Sequence, residues 1–140
     1  LSNPVWSESN PVFNSINNTA PIDVKLIGKT FHVKKHHGGE GNLLKLNFLA
    51  GMGYAWAVEG ECASSCTLAA ELMGCVSDGA RLGYHSGYNI KTHEWIDITG
   101  SYRPELVAYI NKKGGFPKAH DRVTWLEGEE LDMFFDRCPS

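Results

Sequence analysis

No stretch of this chain approaches the roughly 20 consecutive apolar residues of a membrane-crossing helix, and its basic residues do not gather on one segment. The longest basic run is "HVKKHH" at 32–37, and the formal net charge is −3 with a pI near 6.1. Non-specific nucleic-acid binding needs clustered Lys and Arg facing phosphates, so nucleic acid is not an expected partner. There is no internal repeat and no paired C-x-x-C of a structural zinc site. Asn17-Asn18-Thr19 matches a glycosylation sequon, but so short a match carries almost no weight. The chain opens "LSNP" without Met. A processed or trimmed start is therefore expected, and the lack of a targeting segment proves little.

What is present describes one packed domain. The 140 residues are 42% hydrophobic and 21% charged, which suits a globular core. Residues 1–22, rich in Asn, Ser and Pro with apolar Val5, Trp6, Val12 and Phe13, read as an extended N-terminal arm. Residues 23–140 read as a single α/β domain. "DVKLIG" at 23–28 and "TFHVKK" at 30–35 alternate like half-buried strands. After the glycines of "HHGGEGN", the apolar positions Leu43, Leu44, Leu46, Phe48, Leu49 and Met52 fit a helical stripe. "YAWAVEG" at 54–60 and "ARLGYH" at 80–85 have strand length. "SSCTLAAELMGC" is rich in helix formers. "RPELVAYINKKGG" at 103–115 places Pro at its start and Gly at its end, as helices do. "LEGEELDMFFDR" reads as a short amphipathic helix. This order implies β-α-β connections and a mostly parallel sheet covered by helices.

Ligand sites of such folds form in loops at the carboxyl ends of strands. Two glycine-containing loops qualify, "HHGGEG" and "EGECASS". A serine at a helix start has unpaired backbone N–H groups beside it, and a facing glycine loop can add another. That is the arrangement of an oxyanion hole. The plainer reading is that Ser64 or Ser65 only caps the helix. His85, closing the next strand, is a candidate base.

"GECASSCTLAAELMGCVSDGARLGYHSGY" resembles the active-site region of the ClpP-like, crotonase-fold serine peptidases. It is most similar to their exported bacterial branch, with its "CASAC…GARLGFH" pattern. Gly60, Ala63, Ser64 and His85 carry the likeness, and "HGGEGNLLKLNFLAGMGY" resembles the family's glycine loop and following helix. The similarity spans about residues 37–131. It implies a ClpP/crotonase-like fold of repeated β-β-α units with a curved, mostly parallel sheet. It also implies Ser64 as nucleophile, His85 as general base, and the Gly39 and Ser65 backbone N–H groups as oxyanion donors. The family's acidic residue precedes an acidic helix, here "HDRVTWLEGEEL". Counting back from "EGEEL" puts Val123 in that slot, with Asp121 two residues short. Either the loop is shifted and Asp121 is the acid, or the enzyme works as a Ser-His dyad, or it does not work, with Asp97 and Glu94 as lesser candidates. His37 stands where the family usually has proline.

The expected activity is acyl transfer to water on a peptide or protein substrate, without cofactor or metal. The alternative is a catalytically inactive module that keeps the fold for binding or assembly. The chain lacks the handle helices and N-terminal loops of the Clp barrel, so no unfoldase ring is an expected partner, whereas a homo-oligomer is. Cys62, Cys66, Cys75 and Cys138 read as disulfide cysteines in a periplasmic or secreted protein. Three pairings are open, and buried thiols are the alternative. His32, His36 and His37 read as a solvated face and loop. Trp56, Trp95, Trp125 and the Phe134-Phe135 pair read as core or subunit contact.

Overall fold

The computed structural model describes residues 22–38 and 42–139. The expected arm, apart from Ile22, lies outside the described residues, as do the sequon at 17–19 and Gly39. Strands β1 (Ile22–Ile27) and β2 (Thr30–His36) form an antiparallel hairpin. Helix α1 (Leu43–Gly51) leads into β3 (Ala55–Ala63), and α2 (Cys66–Met73) follows it directly. Next come β4 (Gly74–Val76), β5 (Arg81–Tyr84), and a small hairpin of β6 (Gly87–Asn89) with β7 (Glu94–Ile96). Helix α3 (Pro104–Lys113), strand β8 (Thr124–Glu127) and a 3₁₀ turn over Gly128–Met133 complete the chain.

The main sheet has six strands in the order β1-β2-β3-β5-β8, with β4 also paired to β3. Pairings of β3 with β2, β4 and β5 are parallel, while β1–β2 and β5–β8 are antiparallel. The architecture is α/β with a mixed sheet whose centre is parallel.

Local sequence accounts for most of these elements. The Asn42 side chain caps α1 by accepting from the Lys45 N–H. Pro104 opens α3, Glu105 sits in its first turn, and Lys112 and Lys113 close it, each sign matched to the helix dipole. In α1 the apolar stripe divides. Leu46 and Leu49 are buried, while Leu44 and Phe48 are 84% and 66% exposed. The expected C-terminal amphipathic helix is instead β8 followed by a 3₁₀ turn. Gly128 breaks the run at φ 65°, and Glu127 and Glu130 form a reciprocal capping box at the break.

One departure in β2 matters for the site. His36 is fully buried, correcting the expectation of a solvated histidine. The pairing register shifts around Lys34 against both neighbouring strands. Phe31 and Val33 face the core in one phase, and beyond the shift His36 turns inward in the other. Across from it, a Cβ on Gly60 would overlap the Lys34 carbonyl oxygen, so the irregularity requires glycine there.

The cysteines pair as Cys62–Cys66 and Cys75–Cys138, with none free. Two disulfides suit an oxidising compartment. Among the described residues no helix is long and apolar enough to cross a membrane. The second bridge joins residues 63 apart, and backbone bonds from Val76 N to Asp136 O and Cys138 N to Val76 O run beside it. A cross-link over so long a loop removes unfolded-state entropy worth about 4 kcal/mol. Replacing Cys75 and Cys138 together by Ser is expected to lower urea-unfolding stability by about that amount. A loss under about 1 kcal/mol would mean that the backbone pairing alone holds the chain end.

Candidate active site

In the turn from β3 to α2, the Ser64 N–H and carbonyl are both hydrogen-bonded. Ser64 has φ 61°, a left-handed conformation that costs a non-glycine residue about 1–3 kcal/mol. Its N–H donates to the Gly83 carbonyl of β5 at 3.0 Å. Its carbonyl accepts from the Thr67 N–H at 3.0 Å and from the Thr67 hydroxyl at 2.6 Å. The buried Cys62–Cys66 bridge spans the turn, with Cα atoms 5.4 Å apart.

Ser65 occupies the N-cap position of α2, but its side chain makes no capping bond. Its N–H precedes the first helical hydrogen bond and points out of the helix start. The simple capping role therefore does not account for either serine. Gly38, at φ 97°, packs directly on this turn. A Cβ there would overlap Ser64 Cβ and lie 2.6 Å from Oγ and 3.2 Å from the Ser65 nitrogen. The Gly38 N–H itself donates to His36 Nδ1 at 3.1 Å.

Ser64 and His85 line one cleft of about 550 Å³, together with His37, Ala63, Pro117, His120, Asp121, Arg122, Val123 and Trp125. His85 follows β5 directly, and β5 pairs with β3 through Ala63 and Gly83. The parallel pairing thus delivers nucleophile and base candidates to the same sheet end. Gly83 keeps that end narrow, since a Cβ there would lie 2.9 Å from Val123 and 3.1 Å from both Ala63 and Trp125.

His85 Nδ1 lies 2.5 Å from the Ser86 carbonyl oxygen. A carbonyl only accepts, so Nδ1 carries the proton and Nε2 keeps the lone pair. Burial holds the His85 pKa below the usual imidazole range, the Ser86 carbonyl pulls it back up, and nearby His120 adds a smaller lowering. Ser86 is pinned in turn, its N–H to the Pro117 carbonyl and its hydroxyl to the Phe116 carbonyl.

The expected acids fare differently. Asp121 lines the cleft, but among the described residues its carboxylate makes no hydrogen bond to His85. Asp97 is engaged by the Thr99 N–H and hydroxyl at 2.9 and 2.7 Å, and Glu94 lies exposed on β7. Neither lines the cleft. Ser64 Oγ and His85 are likewise not hydrogen-bonded to each other among the described residues. Gly39 lies outside the described residues, so only the Ser65 member of the expected oxyanion pair is located.

Sequence reasoning missed two contributors. Trp125 lines the cleft rather than serving only as core, with the Arg81 guanidinium stacked on its ring at 4.0 Å. Arg81 also binds Glu61 at 3.0 Å and Glu127 at 3.2 Å, and His37 binds Glu61 at 2.7 Å. Of these, His37 lines the cleft, and the ion pairs tie it through Glu61 to Arg81. The other contributor is His36, hidden by the register shift. The cysteines are oxidised to disulfides and cannot serve as thiolate ligands. Among the described residues no cluster of three His, Cys, Asp or Glu is placed to hold a metal.

Burial lowers the His36 pKa to about 4. The fold favours the neutral ring, so the unfolded chain takes up this proton first as the pH falls. The stabilisation is complete above pH 6.5 and is lost between 6.5 and about 4, a change of about 3 kcal/mol. The depressed carboxylates Glu61, Asp97, Glu130 and Asp132 act in the same direction but below their ordinary values of 4.5 and 3.8. Urea unfolding followed from pH 7 to pH 4.5 is expected to show falling stability. A flat profile in that window would contradict a neutral buried His36.

Compared with protein-family models, curated proteins and solved structures, the chain matches none.

Proposed function

We propose that the chain is a ClpP-like serine hydrolase, acting as an ATPase-independent peptidase with Ser64 as nucleophile and His85 as base. One observation carries this reading. Ser64 sits in a strained, disulfide-bracketed strand-to-helix turn and shares a cleft with a histidine whose Nε2 lone pair is available. Non-glycine residues kept in left-handed conformations concentrate at functional sites, and a sharp strand–helix turn exposes a serine hydroxyl for attack.

In the proposed reaction His85 Nε2 takes the Ser64 proton as Oγ bonds to the substrate carbonyl carbon. The Ser65 N–H, joined by Gly39 as the resemblance implies, donates to the oxyanion. Collapse of the tetrahedral intermediate breaks the peptide bond, and the imidazolium returns its proton to the leaving amine. Water then repeats the sequence on the acyl-enzyme. The Ser86 carbonyl holds the ring in the needed tautomer, the orienting role that a carboxylate takes elsewhere. The finer fold assignment, repeated β-β-α units of the ClpP/crotonase type, belongs to the same proposal and is supported by β1-β2-α1 followed by β3-α2. A periplasmic or secreted setting is supported by the two disulfides. A homo-oligomer is supported by exposed Leu44 and Phe48 on α1, since clustered exposed apolar side chains favour association.

The second reading is an inactive module of the same fold. It is favoured by the missing Ser64–His85 hydrogen bond and by the absence of a carboxylate bonded to His85 among the described residues.

A fluorophosphonate probe separates the two. The wild-type chain is expected to be labelled at Ser64, the Ser64→Ala variant not at all, and His85→Ala more slowly by about 10²–10⁴-fold. Because burial depresses His85, the acid limb of the labelling rate is expected below pH 6.5, the ordinary imidazole value. A folded wild-type chain that takes no label overturns the hydrolase reading.

A further inference from the structure

We propose that His36, remote from the reacting atoms, is a positioning residue that fixes the Ser64 side chain through Gly38. The inference rests on the hydrolase reading. Gly38 packs directly on the nucleophile turn, with no room for even a methyl group between it and Ser64. The wall that Gly38 makes limits the staggered positions open to Oγ. The placement of that wall depends on what holds Gly38, and its N–H is held by His36 Nδ1 at 3.1 Å, within the range of a well-formed bond.

The bond is unusual in kind, since a backbone N–H at a strand end ordinarily meets a carbonyl. Accepting at Nδ1 requires a neutral ring with its proton on Nε2, and full burial supplies that state. His36 is also paired in register with Cys62, so the same residue stands beside one end of the disulfide that spans Ser64. The Gly38 N–H, committed to His36, is not available to an oxyanion. The glycine therefore acts by shape and the histidine by holding that shape.

The role predicts a specific pattern. His36→Leu removes the acceptor, whereas His36→Asn offers a carbonyl oxygen near the former Nδ1 position. On an activated nitrophenyl ester at pH 7.5, His36→Leu is expected to lower kcat by about 10²-fold, the size of effect that small misplacement of reacting groups produces. KM should stay within about twofold, because no substrate contact is lost, and His36→Asn should recover most of the rate. The fluorophosphonate labelling rate should follow kcat.

A measurement on the full wild-type chain needs neither activity nor a variant. In ¹⁵N-labelled protein, a nitrogen–nitrogen scalar coupling across the hydrogen bond is expected between the Gly38 amide and His36 Nδ1. Absence of that coupling at neutral pH overturns the inference whatever the chain catalyses. A labelled wild type whose folded His36→Leu variant reacts at the same rate overturns only the positioning role. An unlabelled wild type overturns the hydrolase reading and this role with it.

Discussion

The site depends on a single irregularity in backbone pairing, the close approach of the Lys34 carbonyl to Gly60. Had β2 kept its alternation, Lys35 and not His36 would face the core in phase with Phe31 and Val33. The register shift inverts that phase and turns His36 inward. His36 then holds Gly38, and Gly38 closes on Ser64. Gly60 lies four residues before Ser64 on the neighbouring strand, so one glycine serves both the bulge and the approach to the turn. Bulges re-aim side chains near functional sites, and this one supplies a buried acceptor to the Gly38 N–H.

Holding Ser64 in a left-handed conformation opposes stability by about 1–3 kcal/mol, and the fold meets that cost locally. The Cys62–Cys66 ring is short, with a sequence separation of 4, and its entropic contribution is about 2 kcal/mol. Three hydrogen bonds to the Ser64 backbone add about 1 kcal/mol each. These terms cover the strain without drawing on the core around Trp56, Leu82 and Tyr84. Such a turn is fixed by the fold alone, the condition that preorganised catalysis requires on the proposed reading. A serine serving only as a helix cap would need neither the bridge nor the strain.

Local pattern made the frame legible. β1, the start of β2, β3, β5 and the three helices follow from alternation, capping residues and helix formers, because each depends on neighbours within one segment. The short strands β4, β6 and β7 have three residues each, too few for any period to register. β8 was concealed in a segment read for its acids, although Thr124 and Leu126 alternate inward. That Ser64 and His85 share a cleft follows from strand–turn–helix and strand-end positions encoded locally and from the parallel pairing of β3 with β5. His36 was not reachable, because its direction is set by a bulge opposite Gly60, a contact between strands. The disulfide partners were equally hidden, since three pairings satisfy the same four positions.

On the proposed hydrolase reading, the Ser86 carbonyl takes over part of the work of a triad carboxylate. A carboxylate behind a catalytic histidine does two things: it fixes which nitrogen bears the proton, and it stabilises the imidazolium that forms. The Ser86 carbonyl performs the first at 2.5 Å and the second only weakly, as a dipole and not a charge. Asp121 is on the same cleft but exposed and unbonded to His85, where water screens its charge. His120, whose ring meets Tyr88 and Trp95 in the cleft wall, adds a small lowering to the His85 pKa. The base is thus oriented well and charged reluctantly. On the proposed reading, that combination makes hydrolysis of activated esters faster than that of peptides, whose leaving amine needs a proton. On that reading, a bound peptide that excludes water from the Asp121 side of the cleft would strengthen the pull of that carboxylate on the imidazolium, the half of the acid's work that the Ser86 carbonyl does weakly.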